Sequence, residues 1–584
     1  MILRKLQVLL LIALSALPLS AMQELTKENC SWSTVSGGKF VLKPETTSYG
    51  ITGILDGRTI ISVSDSGTVL WEKPFGADKN SFISTVSDDF TVAVTSLSRK
   101  ITLINPSGLP LWSKVLDYEV TEKPFEGRDG RFFVRGKKNI SCYGINGICK
   151  WEITTEEQNS IPLQELPDGS LVIFLKNTEG GKSKALRISP FGRTLEEITF
   201  AGEVVSSATC PDGVLLVFSD GSAGLFSLDH SKAVNKFVIN SKAFRNNKEN
   251  FFVADRFSSP VFFITQNSSS IKAFSVNTEN GDLPVEILVP DMLIKNLTEC
   301  RFSGDSFFIV DSKTAYYFNI RGICLWNAKL PERTKTSKWN FALLNRNNTL
   351  LLCNENWSLD AYVVSQKSAS SRVKNELKGY PDYFKADSSV YGTVYLSSFD
   401  SNFSGEERIK ELRNGHYGEK EIGYTSEFLS AIKAYNQYNA SNNFGARTES
   451  PVFKTDSAGF ERILIQFPFY GSKEISLLWA GTLEKETNIT FLNSLISGIQ
   501  KNAYDPEEKI MEALLSVSAS LSPRNSSTAE EICDAVYAIC RFMGRPAYHK
   551  CAKTILSNFM YPSYSQKVRN KARETLKKIV ELNI

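Results

Sequence analysis

Histidine is rare in this chain. His230, His416 and His549 are the three histidines among 584 residues, and they are far apart in the sequence. This argues against a histidine-rich metal centre. Charge of one sign is also lacking, since 67 lysines and arginines face 63 aspartates and glutamates and give a net charge of +4. Nucleic-acid binding favours a clustered basic face, so the sequence predicts no nucleic-acid partner. It also predicts no cofactor.

Cysteine is sparse as well, with ten residues and no two adjacent. That density argues against a fold built on disulfides. Cys142 and Cys149 lie symmetrically about the turn "GING", so they either form a disulfide across a hairpin or are two small buried apolar residues. In another repeat, Cys324 takes the place of Cys149 and Tyr317 lies opposite, which favours the second interpretation.

Long apolar runs are absent beyond the N-terminus. There, Arg4 and Lys5 precede an apolar run from Leu6 to Leu17 and small residues up to Ala21. This layout predicts a secretory signal peptide over 1–21, the alternative being an uncleaved anchor. The mature chain is then expected to be exported to the periplasm or cell envelope, with no transmembrane segment.

A glycine four residues before a tryptophan recurs along the first half of the chain. The four clear copies place tryptophans at Trp71, Trp112, Trp151 and Trp326, in "SVSDSGTVLWEKPF", "LINPSGLPLWSKVL", "SCYGINGICKWEIT" and "YFNIRGICLWNAKL". The first two intervals are 41 and 39 residues, and the gap to Trp326 has room for about four more units. Weaker copies in that gap carry Glu196, Asn235 and Val285 in the tryptophan position.

A second signal repeats with the same period. A polar turn followed by three or four apolar residues occurs eight times, in "LDGRTIIS", "SDDFTVAV", "RDGRFFVR", "PDGSLVIF", "PDGVLLVF", "RFSSPVFFI", "SGDSFFIV" and "RNNTLLLC". Asp-Gly and Asn-Asn favour tight hairpin turns, and the apolar run after each turn predicts a buried inner strand. Two signals with a period near 40 residues predict a β-propeller of eight blades, or of seven if the first unit only completes the last.

These repeats resemble those of the pyrroloquinoline-quinone-type, BamB-like propellers over residues 33–365. That family includes quinoprotein dehydrogenases and an accessory propeller of outer-membrane assembly. The resemblance implies that each repeat tryptophan docks between neighbouring blades as a structural wedge. A dehydrogenase of this kind would need an aspartate base, a calcium site and commonly a vicinal cysteine pair. No family cofactor residue can be carried over to this sequence, whose repeat aspartates lie in hairpin turns, so no catalytic, cofactor-binding or metal-binding residue is predicted.

The pattern changes after residue 365. Residues 366–404 have the composition of a linker, with one additional strand in 388–399, and residues 405–584 show helical periodicity. Helices are predicted over 426–435, 473–483, 489–503, 507–521, 529–544, 548–559 and 565–584, with prolines at several boundaries. Paired helices of this length resemble HEAT-type repeats and predict an α-solenoid-like domain, separable from the propeller by a cut near 370–385.

The function expected from these features is a non-catalytic protein–protein interaction scaffold in the bacterial cell envelope. The family resemblance implies a role in envelope or outer-membrane protein assembly, with other envelope proteins as partners. The alternative is a quinoprotein-like propeller that binds a ligand or acts as a dehydrogenase. A basic run near the C-terminus is expected to be a solvated helix face and not a binding surface.

Overall fold

A computed structural model describes residues 23–364 and 476–582, with short internal gaps. The gaps are 26–28, 77–80, 88, 96–98, 128–130, 157–160, 167–169, 176–182, 189–191, 193, 201, 211–212, 220–221, 228–234, 239–250, 253–260, 267–270, 277–284, 288–296, 304–305, 312, 320–323, 332–338, 477–478, 482, 485 and 487–488. The predicted signal peptide (1–21), the linker (366–404) and the first predicted helix of the second half lie outside the described residues. The predicted domain boundaries therefore stay predictions.

The described part of the first half forms eight sheets, and in each of them consecutive strands pair in antiparallel fashion. The strands of the first four sheets are β3 (Glu45–Thr47), β4 (Gly50–Leu55), β5 (Thr59–Ser64) and β6 (Val69–Pro74); β7 (Phe82–Val86), β8 (Phe90–Thr95), β9 (Lys100–Ile104) and β10 (Pro110–Val115); β11 (Phe125–Glu126), β12 (Arg131–Arg135), β13 (Asn139–Gly144) and β14 (Cys149–Thr154); and β15 (Gln164–Glu165), β16 (Leu171–Leu175), β17 (Lys184–Ile188) and β18 (Thr194–Thr199).

The other four sheets repeat this order. Their strands are β19 (Val204–Cys210), β20 (Gly213–Phe218), β21 (Ser222–Ser227) and β22 (Asn235–Val238); β23 (Phe251–Phe252), β24 (Val261–Gln266), β25 (Ile271–Val276) and β26 (Val285–Ile287); β27 (Leu297–Ser303), β28 (Ser306–Asp311), β29 (Thr314–Asn319) and β30 (Cys324–Lys329); and β31 (Trp339–Leu344), β32 (Thr349–Asn354) and β33 (Ser358–Val363). Small four-stranded sheets in series are the blades of a β-propeller.

Two N-terminal strands complete the last sheets. β2 (Trp32–Val35) pairs antiparallel with β33 as the fourth strand of the eighth sheet, and β1 (Gln23–Glu24) pairs in parallel with β30 as the fifth strand of the seventh. The chain then crosses from β2 into the first sheet, where Phe40 bridges to Leu55. The start of the chain therefore joins the last sheet to the first.

After seven of the eight predicted turns, the predicted buried strand is the second strand of a sheet. Every residue of β8, β12 and β16 is buried, because these strands have a sheet neighbour on each side and pack on adjacent sheets. Between the first two sheets, for example, Ile54, Ile60 and Trp71 form one cluster with Ile83 and Ala93. The aliphatic runs are thus buried by packing of sheet on sheet.

One of the eight turns lies elsewhere than the repeat pattern predicts. "LDG" at 55–57 joins β4 to β5, the second and third strands of the first sheet, whereas the other seven turns precede a second strand. The corresponding turn of the first sheet is Ser48–Tyr49, between β3 and β4, and it has no Asp-Gly signal. The apolar run after "LDG" is accordingly a third strand.

The second half of the described chain is helical. Helical residues occur around Trp479, and five helices follow: α1 (Ile489–Asn502), α2 (Lys509–Ser520), α3 (Ser526–Met543), α4 (Pro546–Phe559) and α5 (Gln566–Glu581). The last five predicted helices agree with these within a few residues. In this part of the chain α3 packs against α1 and α5, and α2 packs against α4, which is an arrangement in two layers.

The helical periodicity of the sequence corresponds to an apolar stripe on each of two helices. In α3, Ile532, Val536, Ile539 and Met543 are inaccessible, and in α5, Val568, Ala572 and Ile579 are buried while Leu576 is half-buried. These side chains share one apolar cluster with Phe90 and Val92 of the second sheet and with Phe132 of the third. The helices and the sheets therefore have a common core, although the sequence predicts two separable units.

Candidate interaction surfaces

Trp71 contacts the glycine of the next repeat. Its indole N–H donates to the carbonyl of Pro106 at 2.8 Å, across the boundary between the first and second sheets. Gly108 lies under the ring with a φ of +81°, and a Cβ placed there would come within 2.6 Å of the Trp71 side chain. Glycine is required twice over, because the backbone is left-handed and the indole occupies the space of a side chain.

The same contact recurs at three other boundaries. The tryptophan–glycine pairs are Trp32–Gly67, Trp112–Gly147 and Trp151–Gly192, each glycine having a φ between +82° and +84°. The indole N–H groups of Trp32 and Trp112 also donate to turn carbonyls, at 2.7 and 2.8 Å. The glycine of one motif thus contacts the tryptophan of the preceding sheet, and the tryptophan of that motif contacts the glycine of the following sheet. Trp32, which lacks the preceding glycine, is missed by the sequence pattern.

Trp326 is buried between the seventh and eighth sheets, in a cluster with Trp339 and Tyr362. The indole N–H groups of Trp71 and Trp112 donate to main-chain carbonyls and not to titratable side chains. All four tryptophans identified from the repeat therefore occupy packing positions between sheets.

The disulfide interpretation of Cys142 and Cys149 is wrong in this structure, which does not join the two thiols. The strand register aligns Cys142 with Trp151 and Cys149 with Tyr143. Cys142 lies in the core between the third and fourth sheets, whereas Cys149 packs against the core on the other side of the third sheet. A bulge in β14 shifts the register, so symmetry about the turn in sequence does not make the two residues cross-strand neighbours.

The C-terminal end of α3 docks on turns of the second sheet. Asn105 Nδ2 donates to the carbonyl of Arg541 at 2.8 Å, which satisfies one of the carbonyls left unpaired at a helix end. Gly544 follows with a φ of +61°, and a Cβ there would come within 2.5 Å of Asn105 Nδ2 and 2.9 Å of Ser107 Oγ. The helix can approach this closely only because the residue is glycine.

A buried carboxylate lies beside this contact. The Asp89 side chain is fully inaccessible, accepts a hydrogen bond from the Ser48 N–H at 2.5 Å and lies 3.7 Å from the Arg545 guanidinium. Ser48 Oγ also donates to Asp89. Burial raises the pKa of the neighbouring Tyr49 hydroxyl, Asp89 raises it further, and Arg545 opposes both. The turns Ser48–Tyr49, Ser87–Asp89 and Asn105–Gly108 thus form one polar docking surface for the helices.

The opposite face of the propeller carries a cleft where the ring closes. The helices dock on turns between first and second or third and fourth strands, so turns between second and third strands lie at the other end of each sheet. There a cleft of about 490 Å³ lies between residues 39–41 and the start of β31. We call it the seam cleft; its lining residues are Lys39, Phe40, Val41, Trp339, Asn340, Phe341 and Glu355.

An exposed tryptophan lies two residues along the chain from Glu355 of the seam cleft. Trp357 belongs to the turn between β32 and β33, is 50% exposed and has a φ of +69°. Its carbonyl accepts hydrogen bonds from both Ser36 N–H and Ser36 Oγ at 2.8 Å, which fix the turn. A left-handed conformation is uncommon for a bulky residue, and residues in such conformations cluster at functional sites. Val35, 73% exposed, lies beside this turn.

Three lysines of the basic run of α5 form ion pairs with acidic side chains of α3 and α5. Lys567 pairs with Glu530 at 2.8 Å and Lys571 with Asp534 at 2.6 Å, both on α3. Lys577 lies 3.9 Å from Glu581 of its own helix. These ion pairs agree with the interpretation of a solvated helix face.

Comparison with known proteins gives distant structural likeness alone. No protein-family model matches the chain, and no curated protein sequence matches it. Among solved structures, BamB from Moraxella catarrhalis is similar at 12% identity, with 58% of this chain and 99% of that chain covered and a TM-score of 0.38. Saccharomyces cerevisiae Sqt1 is similar at 13% identity, with coverage of 58% and 99% and a TM-score of 0.44. Virginiamycin B lyase from Staphylococcus aureus is similar at 14%, with coverage of 48% and 94% and a TM-score of 0.34.

Among the helices of the described residues, none has both the length and the apolar character needed to cross a bilayer.

Proposed function

We propose that this chain is a non-catalytic protein–protein interaction scaffold of the bacterial cell envelope, with other envelope proteins as partners and a role in envelope or outer-membrane protein assembly. The envelope location rests on the signal sequence predicted over 1–21. The scaffold role rests on one observation above all: Trp357 is a large aromatic side chain held half exposed on a fixed turn. Binding energy at protein interfaces concentrates in such aromatic anchors.

The proposed architecture is an eight-bladed ring followed by an α-solenoid-like domain. Eight sheets in series, with β2 completing the eighth, support the blade count. Alternation of the helices between two layers, α1–α3–α5 and α2–α4, supports a solenoid, in which each helix packs on its equivalent in the next repeat.

The two faces of the propeller have different roles in this proposal. One face binds the chain's own helices through Asn105, Asp89 and the turns beside them. The other face presents Trp357 and Val35, which have no comparable cover from the described residues. A partner bound there leaves the helices in place, so the helical layers remain accessible to a second protein.

Site-specific photo-crosslinking in living cells tests the proposal. A photoreactive phenylalanine derivative at position 357 is expected to give discrete protein adducts, because that position lies in the contact. The matched control places the same residue at Tyr561, another exposed aromatic, 63% accessible, between α4 and α5. The same adducts at both positions, or none at position 357, would contradict the proposal.

Substitution separates binding from stability at this position. Trp357→Gly is expected to be about 1 kcal/mol more stable than Trp357→Ala, because glycine alone adopts the left-handed conformation without strain. Both variants should lose the partner.

A further inference from the structure

The seam cleft combines an apolar floor with a polar rim. Phe40 and Trp339, 2% and 3% exposed, form the floor, and the rim carries Lys39 and Glu355 in an ion pair of 3.4 Å. The rim therefore has no net charge. Such a site fits an uncharged ligand that has both apolar and hydrogen-bonding groups, and a polypeptide backbone with alternating side chains is of this kind.

The main chain of Phe40 has one edge that does not pair with the first sheet. Val41 N–H donates to Ile54 O at 3.1 Å and Asp56 N–H donates to Lys39 O at 2.8 Å, so these bonds flank the Phe40–Leu55 bridge. In an antiparallel pair of this type, the N–H and C=O of the bridged residue point away from its partner strand. For Phe40 they point away from the first sheet, and residues 39–41 line the cleft. Residues 39–41 thus present a strand edge to the cleft.

The opposite wall adds a donor and a second edge. Asn340 Nδ2 is buried and has no hydrogen-bond partner among the described residues. It belongs to β31, the innermost strand of the eighth sheet, which pairs on one side with β32. A buried donor without an acceptor is costly, and a carbonyl oxygen placed in the cleft would satisfy it.

We infer that the seam cleft binds an extended segment of a partner protein, which adds as a short strand to the edge at Phe40. One apolar side chain of this segment packs on Phe40 and Trp339, one of its carbonyls accepts from Asn340 Nδ2, and its flank packs on Trp357. The neutral rim selects a segment without net charge. This inference rests on the proposed scaffold function and specifies the form of the partner's contact.

Selection of peptides on the purified full-length chain tests the binding mode. Random heptapeptides displayed on phage are expected to yield binders with apolar residues at alternate positions. The best binder is then synthesised in two forms, N-methylated either at the odd or at the even positions. One form should bind at least tenfold more weakly than the unmethylated peptide, and the other should bind within about twofold of it. Strand addition uses alternate main-chain groups, so it requires this asymmetry.

Two variants localise the site. Asn340→Leu removes a buried donor that has no partner among the described residues, so the melting temperature should not fall, while peptide binding should fall about tenfold. Arg58→Ala, at a smaller cleft beside Asp56, is the control and should bind like the unmodified chain. Amide exchange at Phe40 should slow when peptide is bound.

Absence of enriched peptides, equal binding of the two methylated forms, or unchanged binding to Asn340→Leu would overturn the inference. Protein adducts at position 357 in cells would still support the scaffold function in each case, because they report that a partner binds and not the form in which it binds.

Discussion

At the scale of single residues, the repeat couples conformation to packing. Gly67, Gly108, Gly147 and Gly192 combine a positive φ with an indole ring lying where a side chain would be. Gly57 also has a positive φ, +67°, but no atom lies within 4 Å of its Cβ position. The chain thus contains a glycine in which the backbone effect occurs alone.

Gly108→Ala is expected to destabilise the protein more than Gly57→Ala. Both introduce a left-handed alanine, at roughly 1 kcal/mol, and Gly108→Ala must also displace Trp71, which adds about 1–3 kcal/mol as overpacking does. Chemical denaturation of the two variants measures the difference. The excess should disappear in a Trp71→Ala background, and an excess that persists there would show that the indole is not its cause.

At the scale of elements, a β-bulge positions each repeat tryptophan. The register of the outer strand shifts by one residue just before Trp71, Trp112, Trp151 and Trp326, and the same shift precedes Glu196. A bulge re-aims the side chains that follow it. The bulge is therefore a property of the repeat itself, since it occurs even where the tryptophan is replaced.

The contact between α3 and the second sheet depends on a second close approach. Gly544→Ala is expected to lift the end of α3 from Asn105 and Ser107, so amide exchange at Gly544, whose N–H donates to Cys540 O at 3.1 Å, should rise at least tenfold. Gly481→Ala is the matched control, since nothing lies within 4 Å of its Cβ position. Unchanged exchange in Gly544→Ala would mean that the helix end is not held by these turns.

At the scale of the whole molecule, the helices and the propeller share a core. Phe90 of the second sheet lies 5.4 Å from Phe542 and 6.3 Å from Tyr504, measured between ring centroids. It is fully buried. The two halves differ in secondary structure as the sequence predicts, but their stabilities are linked through this apolar contact.

Deletion of residues 405–584 should therefore leave strand-type circular dichroism but lower the melting temperature of the propeller. Exposure of Phe90 alone costs about 1.5–3 kcal/mol on the scale for burial of a large apolar side chain. Deletion of 565–584 is the control: it removes α5, which packs on α3 and α4, but keeps Phe542 of α3 in the chain, so the melting temperature should fall less than in the longer deletion. An unchanged melting temperature in the longer deletion would show that the two halves are independent.

The sequence by itself determined the repeat of small sheets, buried second strands such as β8, β12 and β16, and the last five helices. These follow from signals within about 40 residues: turn residues, apolar runs, and the stripe from Ile532 to Met543. Short-range periodicity and turn chemistry are enough for such elements, because each is selected by the side chains of its own segment. The glycine–tryptophan spacing was visible in the same way, but not which glycine each tryptophan contacts.

The tertiary structure decided what joins distant segments. It completes the eighth sheet with β2, pairs Trp71 with Gly108, turns Cys142 and Cys149 toward different cores, and docks α3 on Asn105. β2 with β33 and Asn105 with α3 are contacts between segments hundreds of residues apart, which no local pattern specifies. Trp71 with Gly108 is a contact between two sheets, and the two cysteines are separated by a bulge at Lys150 that the sequence symmetry does not reveal. The seam cleft has the same origin, because its walls come from residues 39–41 and 339–341, which meet only when the first and last sheets pack together.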